Sequence, residues 1–132
     1  YVLKGKYKEI DDIKTWTNNK WEKVDSVDVA DFVDEENFNL VYTGYFYADK
    51  DDVYEFETRS DGGDHLYIAD ELVVDNGGWH GPRKRFGKLA LRKGWHPIVL
   101  KYRPSDKPRV IEVKYAVQGE QLVPLKTQAI GF

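Results

Sequence analysis

GYFYADKDDVYEFETRSDGGDHLYIADELVVDNGGWH, from Gly44 to His80, is the stretch whose reading decides the fold. Tyr54, Phe56 and Thr58 fall on one face of an extended segment, with Glu55 and Glu57 on the other. That two-residue period is the mark of a strand with one face in a core. Just upstream, residues 38–47 are rich in β-favouring types. Leu40, Tyr42, Gly44 and Phe46 share one face there, and Val41, Thr43, Tyr45 and Tyr47 the other. Both faces are apolar, which predicts a strand covered on both sides. Ala48-Asp49-Lys50-Asp51-Asp52 supplies turn chemistry between the two runs and predicts a hairpin. Leu66-Tyr67-Ile68 and Leu72-Val73-Val74 flank Ala69-Asp70-Glu71, a second and tighter hairpin. Two acidic, glycine-rich loops remain, Ser60-Asp61-Gly62-Gly63-Asp64 and Asp75-Asn76-Gly77-Gly78, whose residues tolerate positive φ.

Downstream, Trp79 to Lys88 reads as a basic loop holding Arg83, Lys84 and Arg85, and Leu89 and Leu91 open the next strand. Trp95 to Tyr102 is strand-like, with His96, Ile98, Leu100 and Tyr102 on one face and Trp95, Val99 and Lys101 on the other. Pro97 marks an edge position or a strand start. After a turn over residues 104–108, Val110 to Val117 places Ile111, Val113 and Tyr115 inward. The tail from Gly119 has Leu122, Val123, Leu125 and Ile130 as anchors. At the other end, Tyr1 to Asn19 has no clean period. Its aromatics, with Trp16 and Trp21, suit a segment draped over the sheet; a sugar-stacking platform is the alternative. Residues 24–33 suit a strand or a helical turn equally. Seven or more short strands separated by turn chemistry predict an all-β fold, an antiparallel β-sandwich or barrel with little or no helix. Its 132 residues suit a single domain spanning 1–132. The chain lacks Met and reads as a piece of a longer protein or a processed product.

A net charge of −3, with 33% charged residues of mixed sign, argues against a nucleic-acid binder, which needs a basic field. Without Cys there is no disulfide, thiolate metal site or Cys nucleophile, and no apolar run is long enough for a membrane-spanning helix. No metal spacing links the three His. His65 and His96 sit in strand patterns; His80, in a loop beside Trp79, is the free one. Ser26, Ser60 and Ser105 lie in no nucleophile elbow. Nothing separates the carboxylate pairs, Asp61/Asp64 among them, from ordinary turn acids. No catalytic residues are assigned and the domain is not expected to be an enzyme. Asp61-Gly62-Gly63-Asp64 with Asp70 and Asp75-Asn76 suits either the oxygen-rich loops that hold Ca²⁺ or plain turn chemistry.

Gly44-Tyr45, Tyr54-Glu55-Phe56, Ser60-Asp61, Gly63, Leu66-Tyr67-Ile68, Leu72 to Asn76 and Gly94-Trp95-His96-Pro97-Ile98 through Tyr102 fall in one register. Together they resemble the protective-antigen-14 (PA-14) domain over residues 39–102. The resemblance implies a β-sandwich or barrel used as a non-catalytic module, of the kind appended to bacterial glycoside hydrolases such as β-hexosaminidases. It implies a carbohydrate-binding accessory role in a secreted, periplasmic or cell-surface protein, its partners a glycan and a neighbouring catalytic domain of the same chain. The alternative is a structural module packed on that domain without binding sugar. The expected ligand-binding residues are Asp61, Asp64, Asn76, Trp79 and His80. In the family's sugar-binding adhesins, two consecutive aspartates grip Ca²⁺. Asp61 matches the first and is the candidate metal ligand, but Gly62 stands in place of the second, removing one of two chelating carboxylates.

Overall fold

The computed structural model describes residues 2–5, 21–22, 39–103, 110–125 and 130–131, with side chains over 40–78, 80–103 and 110–125. The expectations for Trp16, for 24–33 and for the turn at 104–108 fall outside these residues. Among the described residues there are nine strands and no helix: β1 (Val2–Gly5), β2 (Trp21–Glu22), β3 (Asn39–Ala48), β4 (Asp52–Ile68), β5 (Glu71–Leu91), β6 (Gly94–Arg103), β7 (Ile111–Val117), β8 (Val123–Pro124) and β9 (Ile130–Gly131). They join in one antiparallel network ordered β2-β1-β3-β6-β4-β7-β8, with β5 on β4 and β9 on β3. The all-β antiparallel fold expected from the sequence is the one found.

Strand β4 makes the network two-layered. Its first half pairs with β7, from Tyr54↔Val117 to Ser60↔Ile111. Its second half pairs with β6, from Gly63↔Arg103 to Ile68↔Ile98. β5 follows β4 from end to end, so both layers are edged by the same strand. The switch falls at Ser60–Asp64, where the β4–β5 register shifts twice and Gly62 takes φ +70°. Such corners, made by irregular residues, let one strand serve two sheets. Phe46 of β3 closes the layers on each other. Its ring meets Tyr54, Phe56 and Tyr115 edge-to-face at 5.7, 5.3 and 5.0 Å, the geometry aromatic quadrupoles favour. At the shared edge β5 doubles back so tightly that a Cβ on Gly87 would sit 1.8 Å from the Val73 carbonyl oxygen.

Four local expectations are corrected. The runs flanking 48–52 do not form a hairpin, because β6 lies between β3 and β4. Residues 48–52 instead form an arch between layers. The Tyr54 hydroxyl, which donates to the Lys50 carbonyl at 2.8 Å, pins that arch. Trp79 to Lys88 is not a loop but the middle of β5, paired from His80↔Gly62 to Lys88↔Glu55. Glu57 does not face water; it is buried, with Lys84 Nζ 4.0 Å from its carboxylate. Finally, β3 is covered on both faces only at its start: Val41 is buried, whereas Tyr45 is exposed. The tight hairpin holds. Ile68 pairs with Glu71, and Ala69 and Asp70 both take positive φ, the signature of a type I′ turn. Pro97 lies inside β6, opposite Tyr45 of β3, and one residue before the pairing with β4 begins at Ile98.

Candidate functional site

The corner of β4 gathers most of the residues singled out in the sequence. Asp61 and Asp64 flank the two glycines and are both fully buried. Asp61 faces β6 and the start of β7: its Oδ1 accepts from the Tyr102 hydroxyl and from the Val110 N–H, each at 2.6 Å. Burial, and then the carboxylate beside it, push the Tyr102 hydroxyl pKa far above its ordinary value, so Tyr102 stays a donor. Asp64 faces β5. Its Oδ2 accepts from Ser60 Oγ at 2.5 Å and Asn76 Nδ2 at 3.1 Å. Its Oδ1 is buried with no hydrogen-bond partner. Burial raises the Asp64 pKa; hydrogen bonds from Ser60, Thr58 and Asn76 work against that rise.

Asn76, also fully buried, ties the corner to the opposing strand. Besides Asp64 it donates to the Arg83 carbonyl at 3.0 Å, and its Oδ1 accepts from Arg83 Nε at 2.9 Å. Arg83 Nη2 reaches the Gly77 carbonyl at 3.0 Å, and Arg103 Nη2 reaches that of Gly78 at 3.1 Å. Gly63 has no room for a side chain, since a Cβ there would lie 2.6 Å from the Gly78 oxygen. His80 is half-buried, its Nδ1 2.7 Å from the Gly81 carbonyl oxygen and its Nε2 2.8 Å from that of Asn76. It is not free, as a loop histidine would be. Trp79 is placed in β5 by its backbone, but its side chain lies outside the described residues.

Asp64 and Asn76 are thus in direct contact, His80 joins them through the Asn76 carbonyl, and Asp61 turns to other partners. Sequence reading missed Ser60, Thr58 and Arg83 as members. Thr58 and Ser60 follow Tyr54 and Phe56 on the inward-facing period of β4, a signal present in the alternation. Arg83 was hidden because its run reads as a solvated loop until the β4–β5 register is known.

These residues do not fit a calcium ion gripped in the manner the resemblance implies. Gly62 offers no carboxylate, Asp61 Oδ1 already serves two donors, and the aspartates face different partners. Among the described residues, no group of three His, Cys, Asp or Glu could hold a metal. The corner's chemistry is that of a cross-linked hydrogen-bond network, with His80 at its outer margin.

The family model described as PA14 domain matches residues 7–128. A search of the curated proteins finds no match. Among solved structures, the PA14 sugar-binding domain from an RTX adhesin is similar at TM-score 0.66 and 20% identity, over 71% of this chain and 54% of that one. An anti-sigma factor domain-containing protein from Clostridium clariflavum is similar at TM-score 0.69 and 18% identity, over 97% and 46%. The β-glucosidase from Kluyveromyces marxianus is similar at TM-score 0.67 and 20% identity, over 90% of this chain but 17% of the enzyme. The chain spans about a third to about a half of the first three structures it matches. At such identities the likeness is one of fold.

Proposed function

The chain belongs to the PA14 domain family, and from that premise we propose that it is a non-catalytic carbohydrate-binding module of a larger, secreted or surface-attached glycoside hydrolase. The observation that carries this reading is its fold likeness to the sugar-binding PA14 domain of an RTX adhesin. A sugar site at the β4 corner would use Trp79 and His80 as contacts, since an indole face stacks on the C–H face of a sugar ring. Asp61, Asp64 and Asn76 are buried beneath and would hold the backbone those contacts stand on. Calcium is left out of the site, because Gly62 and the committed Asp61 carboxylate do not favour it. Calorimetry of the 132-residue chain against a panel of glycans, with and without calcium, tests the reading. The expected result is calcium-independent binding at or below millimolar ligand; no binding to any glycan rejects it.

A second reading is favoured by one observation. The K. marxianus β-glucosidase carries a region of this fold as a small part of a long enzyme. This chain would then be a packing module set against a catalytic domain and would touch no sugar. Deleting it would lower the parent's stability and leave substrate affinity unchanged.

A further inference from the structure

One feature of the surface lies away from the β4 corner. Tyr45 and Tyr47 of β3 stand directly opposite Pro97 and Trp95 of β6. The two-residue period puts all four on the outer face of the sheet, with Phe46 turned into the core. Tyr45 and Trp95 are 49% and 56% exposed. Pro97 is exposed, and Tyr47 is half-buried with its ring 4.9 Å from the indole of Trp95, tilted by 55°. None of the four belongs to the buried core cluster.

We propose that this outer face of β3 and β6 is a glycan-contacting surface for a neutral polysaccharide whose pyranose rings carry equatorial hydroxyls and so present bare C–H faces. The proposal rests on the carbohydrate-binding reading and adds a second contact, on the sheet, to the one at the β4 corner. Residue type is the first argument. Two tyrosines and a tryptophan combine flat apolar faces with polar edges, which suits a ring that is apolar above and hydroxylated at its rim. Charge is the second. All four side chains are uncharged, in a chain with 33% charged residues, so the face complements a neutral ligand. Lys101 lies farther along the face, its Nζ 5.0 Å from the Tyr67 ring centroid.

Size decides between a glycan and a docked protein. Neighbouring strands lie about 4.8 Å apart and alternate residues about 7 Å apart along a strand, so the four side chains cover the footprint of one or two sugar rings. A fully covered aromatic side chain contributes about 150–250 Å². At half exposure the patch offers roughly 300–400 Å², well short of the ~800 Å² per partner of a stable protein interface.

Affinity electrophoresis and calorimetry with mixed-linkage β-glucan and xylan, and polygalacturonate as a charged control, test the proposal. Wild type is expected to bind a neutral polymer and ignore the charged one. Trp95→Ala and Tyr45→Ala, with melting temperatures checked, should each weaken that binding about tenfold. Trp95→Phe should retain part of it, and Phe86→Ala, at an exposed side chain of β5, should leave it nearly unchanged. Loss with Trp79→Ala but not Trp95→Ala overturns this proposal and leaves the carbohydrate-binding reading standing. No binding by wild type removes both. Self-association relieved by Trp95→Ala, with no effect on any polysaccharide, makes the face a protein contact and also overturns it.

Discussion

Asp64 is the residue whose chemistry is least settled by its neighbours. One carboxylate oxygen is held by Ser60 and Asn76, while the other is buried without a partner. Burial raises its pKa in the folded state, so the native protein holds a proton that the unfolded chain releases. The contribution to stability is therefore greatest below the ordinary aspartate range and is lost as pH rises through the folded value. Denaturant titrations of wild type and Asp64→Asn should give a stability difference that shifts in the variant's favour as pH rises above the ordinary aspartate value of about 4. A difference independent of pH would show that Asp64 does not titrate differently in the two states. Asp61, by contrast, spends its Oδ1 on Tyr102 and Val110, and its partners give no sign of a vacancy.

At the scale of the element, strand existence was legible and strand partnership was not. Alternation at Tyr54, Phe56 and Thr58 names an inward face, yet says nothing about which strand lies alongside. The 48–52 segment has hairpin chemistry and serves as an inter-layer arch because Phe46 packs across the layers on Tyr54 and Phe56. The basic run at 83–85 has loop composition and lies in a strand because β4 continues opposite it. Asp61, Asp64 and Asn76 were recognisable as a group from their oxygen-rich loops; their burial was not, since acidic glycine-rich sequence also describes an exposed turn. Two glycines separate space from conformation. Gly87→Ala, aimed at the Val73 carbonyl, should cost more than about 3 kcal/mol. Gly81→Ala meets nothing within 4 Å and should stay within about 0.5 kcal/mol of wild type in the same urea titration. At the type I′ turn, Ala69 sits at φ 50°, where its Cβ is strained. Replacing Ala69-Asp70 with Asn-Gly should add up to about 1 kcal/mol, read as a rise in the denaturation midpoint.

For the whole molecule, Gly62 in place of an aspartate next to Asp61, and the commitment of Asp61 to its own donors, predict indifference to calcium. About 5 mM calcium, above the dissociation constants of weak extracellular sites, should leave the melting temperature where EDTA leaves it. A rise of several degrees would mean a bound ion that the described residues do not account for. The doubled β4–β5 hairpin has a further consequence, for the order of events in folding. Its strands are joined by two residues and can zip from the turn, whereas β3 and β6 must find each other across the whole hairpin between them. Local closure comes early and cheaply, and distant closure sets the pace. Once zipped and bent, the hairpin presents one landing edge for β7 and another for β6, so a single early event templates both layers. The Asn-Gly turn should accordingly speed refolding in stopped-flow experiments and barely change unfolding, placing the hairpin in the transition state.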